Sequence, residues 1–131
     1  MQKSFIATTA VFLLISAFTP YASAGQTSGQ PSKLDVVEVV GCLSEEPKGT
    51  WRVTSATDPI VSKTPYTNEA AIKAAEAKPL GSHQYGLIAI TMFNPDAHKG
   101  HKIAVKGLLI KDPNGDRLNV TSLQMASATC R

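Results

Sequence analysis

Two cysteines, Cys42 and Cys130, are the only ones in the chain, and they bracket nearly everything that carries a folding signal. A bridge between them obliges any fold to bring its first β-like segment beside the C-terminal tail. In an exported protein, a lone pair of cysteines is most simply a disulfide. Closing so long a loop contributes roughly 4–5 kcal/mol by the chain-entropy argument. A redox-active or metal-binding thiol pair is the alternative, but the Cys-x-x-Cys spacing of redox catalysis is missing.

Export is read from residues 1–24. Lys3 gives the positive start, Phe5 to Phe18 an apolar run, and Ala22-Ser23-Ala24 the small-x-small pattern that signal peptidase accepts. The run is about 14 residues, short of the roughly 20 that span a bilayer. A cleaved signal peptide and a periplasmic or secreted protein, with no membrane attachment after cleavage, are therefore expected. Cleavage takes Lys3 with it and leaves 12 basic and 10 acidic residues, a net +2. Nucleic-acid binders concentrate far more positive charge on one face, so nucleic acid is a poor partner. Residues 25–33 are polar and rich in turn formers, a flexible lead-in to a single domain over 34–131.

From Val36 onward the signals are short and β-like. Val36 to Leu43 is dense in β-branched residues, and Pro47 and Gly49 punctuate the turn after it. Thr50 to Ala56 alternates Trp51, Val53 and Ser55 against Arg52 and Thr54, then stops at Asp58-Pro59. Thr67 to Lys78 is alanine-rich, with Thr67 or Asn68 as cap, Glu69 in the first turn and Pro79 as stop. This predicts a surface helix. Tyr85 to Phe93 is nearly apolar throughout and reads as a third, central strand. Asn94 to Gly100 reads as a helical turn, with Asn94 capping and Pro95 first. Lys102 to Ile110 is a fourth strand with Ile103, Val105 and Leu109 on one face. After the Asn114-Gly115 turn, Arg117 to Met125 is a fifth, and its facing set shifts at Thr121-Ser122 as a bulge would require.

Five strands with a short helical turn before the fourth is the order of an all-β, OB-like Greek-key barrel. Val39-x-Gly41-x-Leu43 and Val105-x-Gly107-x-Leu109 agree, because glycine inside a strand marks sharp bends at barrel corners. A five-stranded sandwich is the alternative. The alanine-rich helix is then an insertion, over about 60–82, between strands two and three.

Val40-Gly41-Cys42-Leu43, His98-Lys99-Gly100-His101-Lys102-Ile103-Ala104-Val105-Lys106-Gly107 and Leu118-Asn119-Val120-Thr121-Ser122-Leu123 carry a resemblance. They resemble a group of small exported bacterial proteins of unknown function, in which V-x-G-C-L and H-x-G-H-x-V-x-V-x-G segments recur within an OB-like barrel. The resemblance spans residues 36–130 apart from 57–82. More loosely, the chain is similar to the periplasmic bacterial OB-fold family of small stress-associated proteins. Both imply fold and compartment, and neither brings a catalytic residue.

The residues that stand out for binding are Trp51, Arg52, Tyr66 and Tyr85. OB-folds bind on the face of strands two and three, using aromatic platforms and flanking loops. The bland alternative is that Trp51 and Tyr85 are core. His98 and His101 lie three apart, and His83, or Asp96, is a possible further metal ligand. Against that, Gly100 between them loosens the pair, and no carboxylate support is evident. No serine lies in a Gly-x-Ser-x-Gly elbow, so an enzyme is not expected. Asp112 to Asp116 departs from a calcium loop at Pro113 and lacks its closing glutamate. The sequence thus predicts a monomeric exported binding module, without cofactor, for a small ligand or a protein. The alternative is a metal-binding or metal-stress protein using His98, His101 and His83.

Overall fold

The computed structural model of the protein describes residues 34–131. The expected signal peptide 1–24 and lead-in 25–33 lie outside the described residues. Six strands and one helix follow in the order β1 (Val36–Glu45), β2 (Trp51–Ala56), β3 (Ile60–Val61), α1 (Glu69–Ala77), β4 (His83–Ile88), β5 (Lys102–Ile110) and β6 (Arg117–Ser127). Two single-turn 3-10 helices, Thr91–Phe93 and Pro95–His98, lie between β4 and β5. Among the described residues, no helix is long and apolar enough to cross a membrane.

The strands form one mixed sheet in the order β2-β4-β6-β5-β1-β3, and a further β1–β2 pairing closes five of them into a ring. Only the β4–β6 pair is parallel. The long β1 makes this closure possible. Its first half pairs with β3, its second half with β2, and its other edge runs along β5 from Val36 opposite Leu108 to Cys42 opposite Lys102. One apolar core draws on every strand of the ring, with Val39, Leu43, Val53, Ile103, Val105 and Leu118 almost fully buried. The two glycines of the V-x-G-x-L segments, Gly41 and Gly107, are required where strands pass closely. A Cβ on Gly41 would meet the Thr54 carbonyl oxygen at 2.7 Å, and one on Gly107 the Asn119 carbonyl oxygen at 2.6 Å. The bulge expected at Thr121-Ser122 is present: Lys106 opposes Ser122 and Gly107 opposes Val120, which leaves Thr121 over.

Three expectations need correction. There are six strands rather than five, because two exposed residues, Ile60 and Val61, pair with Val37 and Glu38 at the sheet edge. The third expected strand stops at Ile88 instead of running to Phe93. Ala89 takes a left-handed φ of 58°, the chain leaves the sheet, and Thr91–Phe93 coils into a 3-10 turn. Asn94 does not cap through its side chain. Its own φ is 48°, and its carbonyl accepts the Ala97 N–H at 3.2 Å.

The helix is where its caps place it. Asn68 Oδ1 accepts the Ala71 N–H at 2.8 Å, and the helix ends ahead of Pro79. Its only buried residue is Ala75, which meets Val40 and Ala104 in a small second cluster on the face of β1 and β5 turned away from the main core. Two buried lysines fasten the insertion to that face. Lys102 Nζ donates to the carbonyls of Glu76 and Lys78 at 2.8 and 2.6 Å, at the helix C-terminus. Lys106 Nζ donates to the Tyr66 carbonyl at 2.6 Å and lies 3.7 Å from Glu38.

The ring is clasped by the Cys42–Cys130 disulfide, whose Cα atoms are 5.6 Å apart across 88 positions of sequence. It ties β1 to the tail beyond β6, as the lone pair of cysteines implied. A disulfide suits an oxidising compartment.

Candidate functional site

The β1–β2 turn and the β5–β6 turn lie at the same end of the ring and flank a concavity of about 440 Å³. Its walls are Thr50, Trp51 and Arg52 on one side and Asp112 with Asn114 to Arg117 on the other. Gln84 and the run Gly86 to Ile88 of β4 line it as well.

The β5–β6 turn is built by its own side chains. Asp112 Oδ1 accepts the Asn114 N–H at 2.9 Å, the Asp112 carbonyl accepts the Gly115 N–H at 3.0 Å, and Gly115 supplies a φ of 123°. Arg117 Nη2 donates to Asp112 Oδ2 at 3.0 Å, and Lys111 Nζ to Asp116 Oδ2 at 2.5 Å. The Lys111 ammonium, helped by the Asp112 N–H, holds the Asp116 carboxyl below its ordinary value. The Asp116 carbonyl accepts the Gly86 N–H at 3.0 Å, which joins the turn to β4. Arg117 can lie across β4 because residue 86 has no side chain, and a Cβ there would sit 3.2 Å from Arg117 Cγ.

The opposite wall is set by Glu45. Its carboxylate accepts the Gly49 N–H at 2.7 Å and the Lys99 ammonium at 2.9 Å, in that order the causes that depress its pKa. Trp51 is 7% exposed and packs in the main core while still reaching the concavity. Arg52 is exposed beside it, pairs in register with Gly86, and takes part in no ion pair among the described residues. The concavity thus offers one unneutralised guanidinium, two neutral amides and a hydroxyl around an apolar strip at Leu87 and Ile88.

Of the four residues singled out for binding, the structure brings Trp51 and Arg52 together at this groove. Tyr85 is 3% exposed in the core, where burial raises its pKa, with the Asp116 and Asp58 charges adding to the effect. Tyr66 is 75% exposed on the insertion, and its carbonyl receives Lys106. Neither tyrosine lines the groove. Sequence reasoning missed Gln84, Asn114, Asp116 and Arg117. The Asp112-to-Asp116 stretch read correctly as a turn, but nothing local shows that it folds over β2 and β4.

The three histidines are divided. His83, the first residue of β4, has its Nε2 2.5 Å from Asp58 Oδ1. His98 closes the Pro95–His98 turn and His101 precedes β5, and their ring centroids are 5.8 Å apart at an interplanar angle of 70°. Among the described residues, no group of three or more His, Cys, Asp or Glu side chains is placed to hold a metal ion.

No protein-family model, curated protein or solved structure matches the chain.

Proposed function

We propose that the protein is an exported OB-fold-like binding module that takes a small polar molecule bearing an anionic group in the groove between the β1–β2 and β5–β6 turns. One observation carries this: Arg52 stands exposed, and without an ion-pair partner among the described residues, beside a concavity of about 440 Å³ with polar and apolar lining. Other charges in the neighbourhood are already matched, Arg117 by Asp112 and Asp116 by Lys111. A carboxylate or similar group would therefore find Arg52 as its partner, with charge-assisted hydrogen bonds of the stronger kind.

Position supports the same reading. OB-folds bind on their second and third strands, between the loops that join strands one to two and four to five. In this ring those strands are β2 and β4, and those loops are the two that flank the groove. The size falls in the range of small-molecule sites. The disulfide and the signal-like residues 1–24 support a periplasmic or secreted location. The resemblance of Val40–Leu43 and His98–Gly107 to segments of small exported OB-like proteins supports the same reading.

Trp51 is the only tryptophan, so its emission reports on the groove. Titration with a panel of small carboxylates and phosphates should give a saturable change for at least one compound. Arg52→Ala should weaken that binding at least ten-fold and leave the melting temperature unchanged. A panel with no saturable response, or binding indifferent to Arg52→Ala, refutes the proposal.

A further inference from the structure

We infer that His98 and His101 form a two-coordinate site for monovalent copper, separate from the groove and from His83. The backbone that carries the pair is held firmly. The Leu43 carbonyl accepts the Gly100 N–H at 2.8 Å, the Leu43 N–H donates to the His101 carbonyl at 3.1 Å, and the His98 carbonyl accepts the His101 N–H at 3.0 Å. Gly100 supplies a φ of 81°, which reverses the chain between the two histidines. Lys99, between them, is drawn to Glu45 at 2.9 Å. The glycine that loosens the pair on paper is thus the residue that lets both rings come to one place.

The rings themselves supply the second observation. Nδ1 of His98 and Nδ1 of His101 are both out of contact with solvent, and neither has a hydrogen-bond partner. A buried polar atom left unpaired is costly, and each one in a native fold calls for an explanation, a bound ion among them. Here two of them belong to adjacent rings. A bound metal lies about 2 Å from an imidazole nitrogen, and that nitrogen about 1 Å from its ring centre, so rings sharing one ion have centroids about 6 Å apart at most. The observed 5.8 Å falls just inside that limit, which favours a wide angle at the metal.

The donor set selects the ion. Zinc takes four ligands in a closed site, whereas no third His, Cys, Asp or Glu joins this pair among the described residues. Both cysteines are consumed in the disulfide. Two imidazole nitrogens in a wide arrangement suit a d10 monovalent ion, and imidazole is an accepted copper ligand.

The test is an anaerobic titration of the purified protein with Cu(I), kept reduced by ascorbate so that the disulfide survives, in competition with a chromogenic chelator. One equivalent should bind. His98→Ala and His101→Ala should each lower the affinity at least ten-fold, while His83→Ala leaves it unchanged. Copper-edge absorption should show two nitrogen donors and no sulfur. Silver(I), a diamagnetic substitute, should shift the Nδ1 nitrogen resonances of both rings in the unmutated protein, which keeps the test independent of how the variants fold. Failure to bind Cu(I), binding indifferent to His98 and His101, or sulfur at the metal overturns the inference. Tighter binding of zinc through the same two residues overturns the choice of copper.

Discussion

Gly107 shows how a single residue sets the path of a strand. A Cβ there would lie 2.6 Å from the Asn119 carbonyl oxygen and 3.3 Å from Val120 Cα, both backbone atoms of the paired strand that cannot step aside. Gly86 is a contrast within the same sheet, because its nearest neighbour is Cγ of the flexible Arg117 side chain at 3.2 Å. Gly107→Ala should therefore cost about 1–3 kcal/mol, as overpacking does, and lower the melting temperature by roughly 5–20 °C. Gly86→Ala should cost less than about 1 kcal/mol, since Arg117 can move. Thermal unfolding of the two variants checks this, and equal losses would show that strand proximity is not what selects glycine at 107. The sequence does disclose such a residue, since V-x-G-x-L interrupts a β-branched run with the one residue that has no side chain. It does not disclose Ser55 or Ala89, which sit at φ of 48° and 58° although neither type favours that region. Their conformations are imposed from elsewhere in the fold: the Ser55 carbonyl, for instance, receives the Gly81 N–H at 3.0 Å.

The inserted helix is legible from its own residues, because caps act locally. Asn68, Glu69 and Pro79 mark its ends, and the helix observed runs Glu69–Ala77. Its means of attachment is not legible. Lys102 and Lys106 alternate with the core residues Ile103 and Val105, so by strand periodicity they read as a solvent-facing pair. Instead they are 3% and 6% exposed, and their ammonium groups serve carbonyls of the insertion. Lys102→Met and Lys106→Met keep the stem and remove the donor. Each should cost about 1–2 kcal/mol, less than a charged hydrogen bond at full value, because methionine avoids desolvating an ammonium. The loss should be local. Amide exchange should quicken over Glu69–Ala77 in Lys102→Met and around Thr64–Tyr66 in Lys106→Met, with β5 and β6 protected as before. Uniform quickening throughout would mean that the lysines support the core rather than the insertion. The groove was hidden for a related reason. Trp51 and Arg52 could be chosen from composition alone, but Gln84, Asn114 and Arg117 become neighbours only when β2, β4 and β6 pair, and no local pattern encodes that.

At the scale of the molecule, the ring is closed by backbone pairing and the disulfide then fixes its last residues. β6 ends at Ser127 and Ala128 to Arg131 continue beyond it, so Cys130 is the only covalent hold on that tail. Cys42, by contrast, sits in β1 opposite Thr54 on one side and Lys102 on the other, already placed by two ladders. Two effects can be separated. Constraining an 88-residue span limits the unfolded chain, an effect of about 4–5 kcal/mol at most. Tethering the tail limits fraying of the native state at one end of β6, which involves few residues. Cys42→Ala with Cys130→Ala should lower the unfolding free energy by about 2–5 kcal/mol in denaturant titration. The native fold should survive, because β1–β2, β1–β5 and β5–β6 pairings do not pass through the bridge. Amides of β1, β2, β5 and β6 that exchange only through global unfolding should quicken by one common factor matching that loss. Only the tail and the end of β6 should quicken beyond that factor, which is the part that tethering contributes. A stability loss below about 1 kcal/mol, or unequal quickening that is greatest in β1 and β2, would instead make the bridge a local brace of the ring.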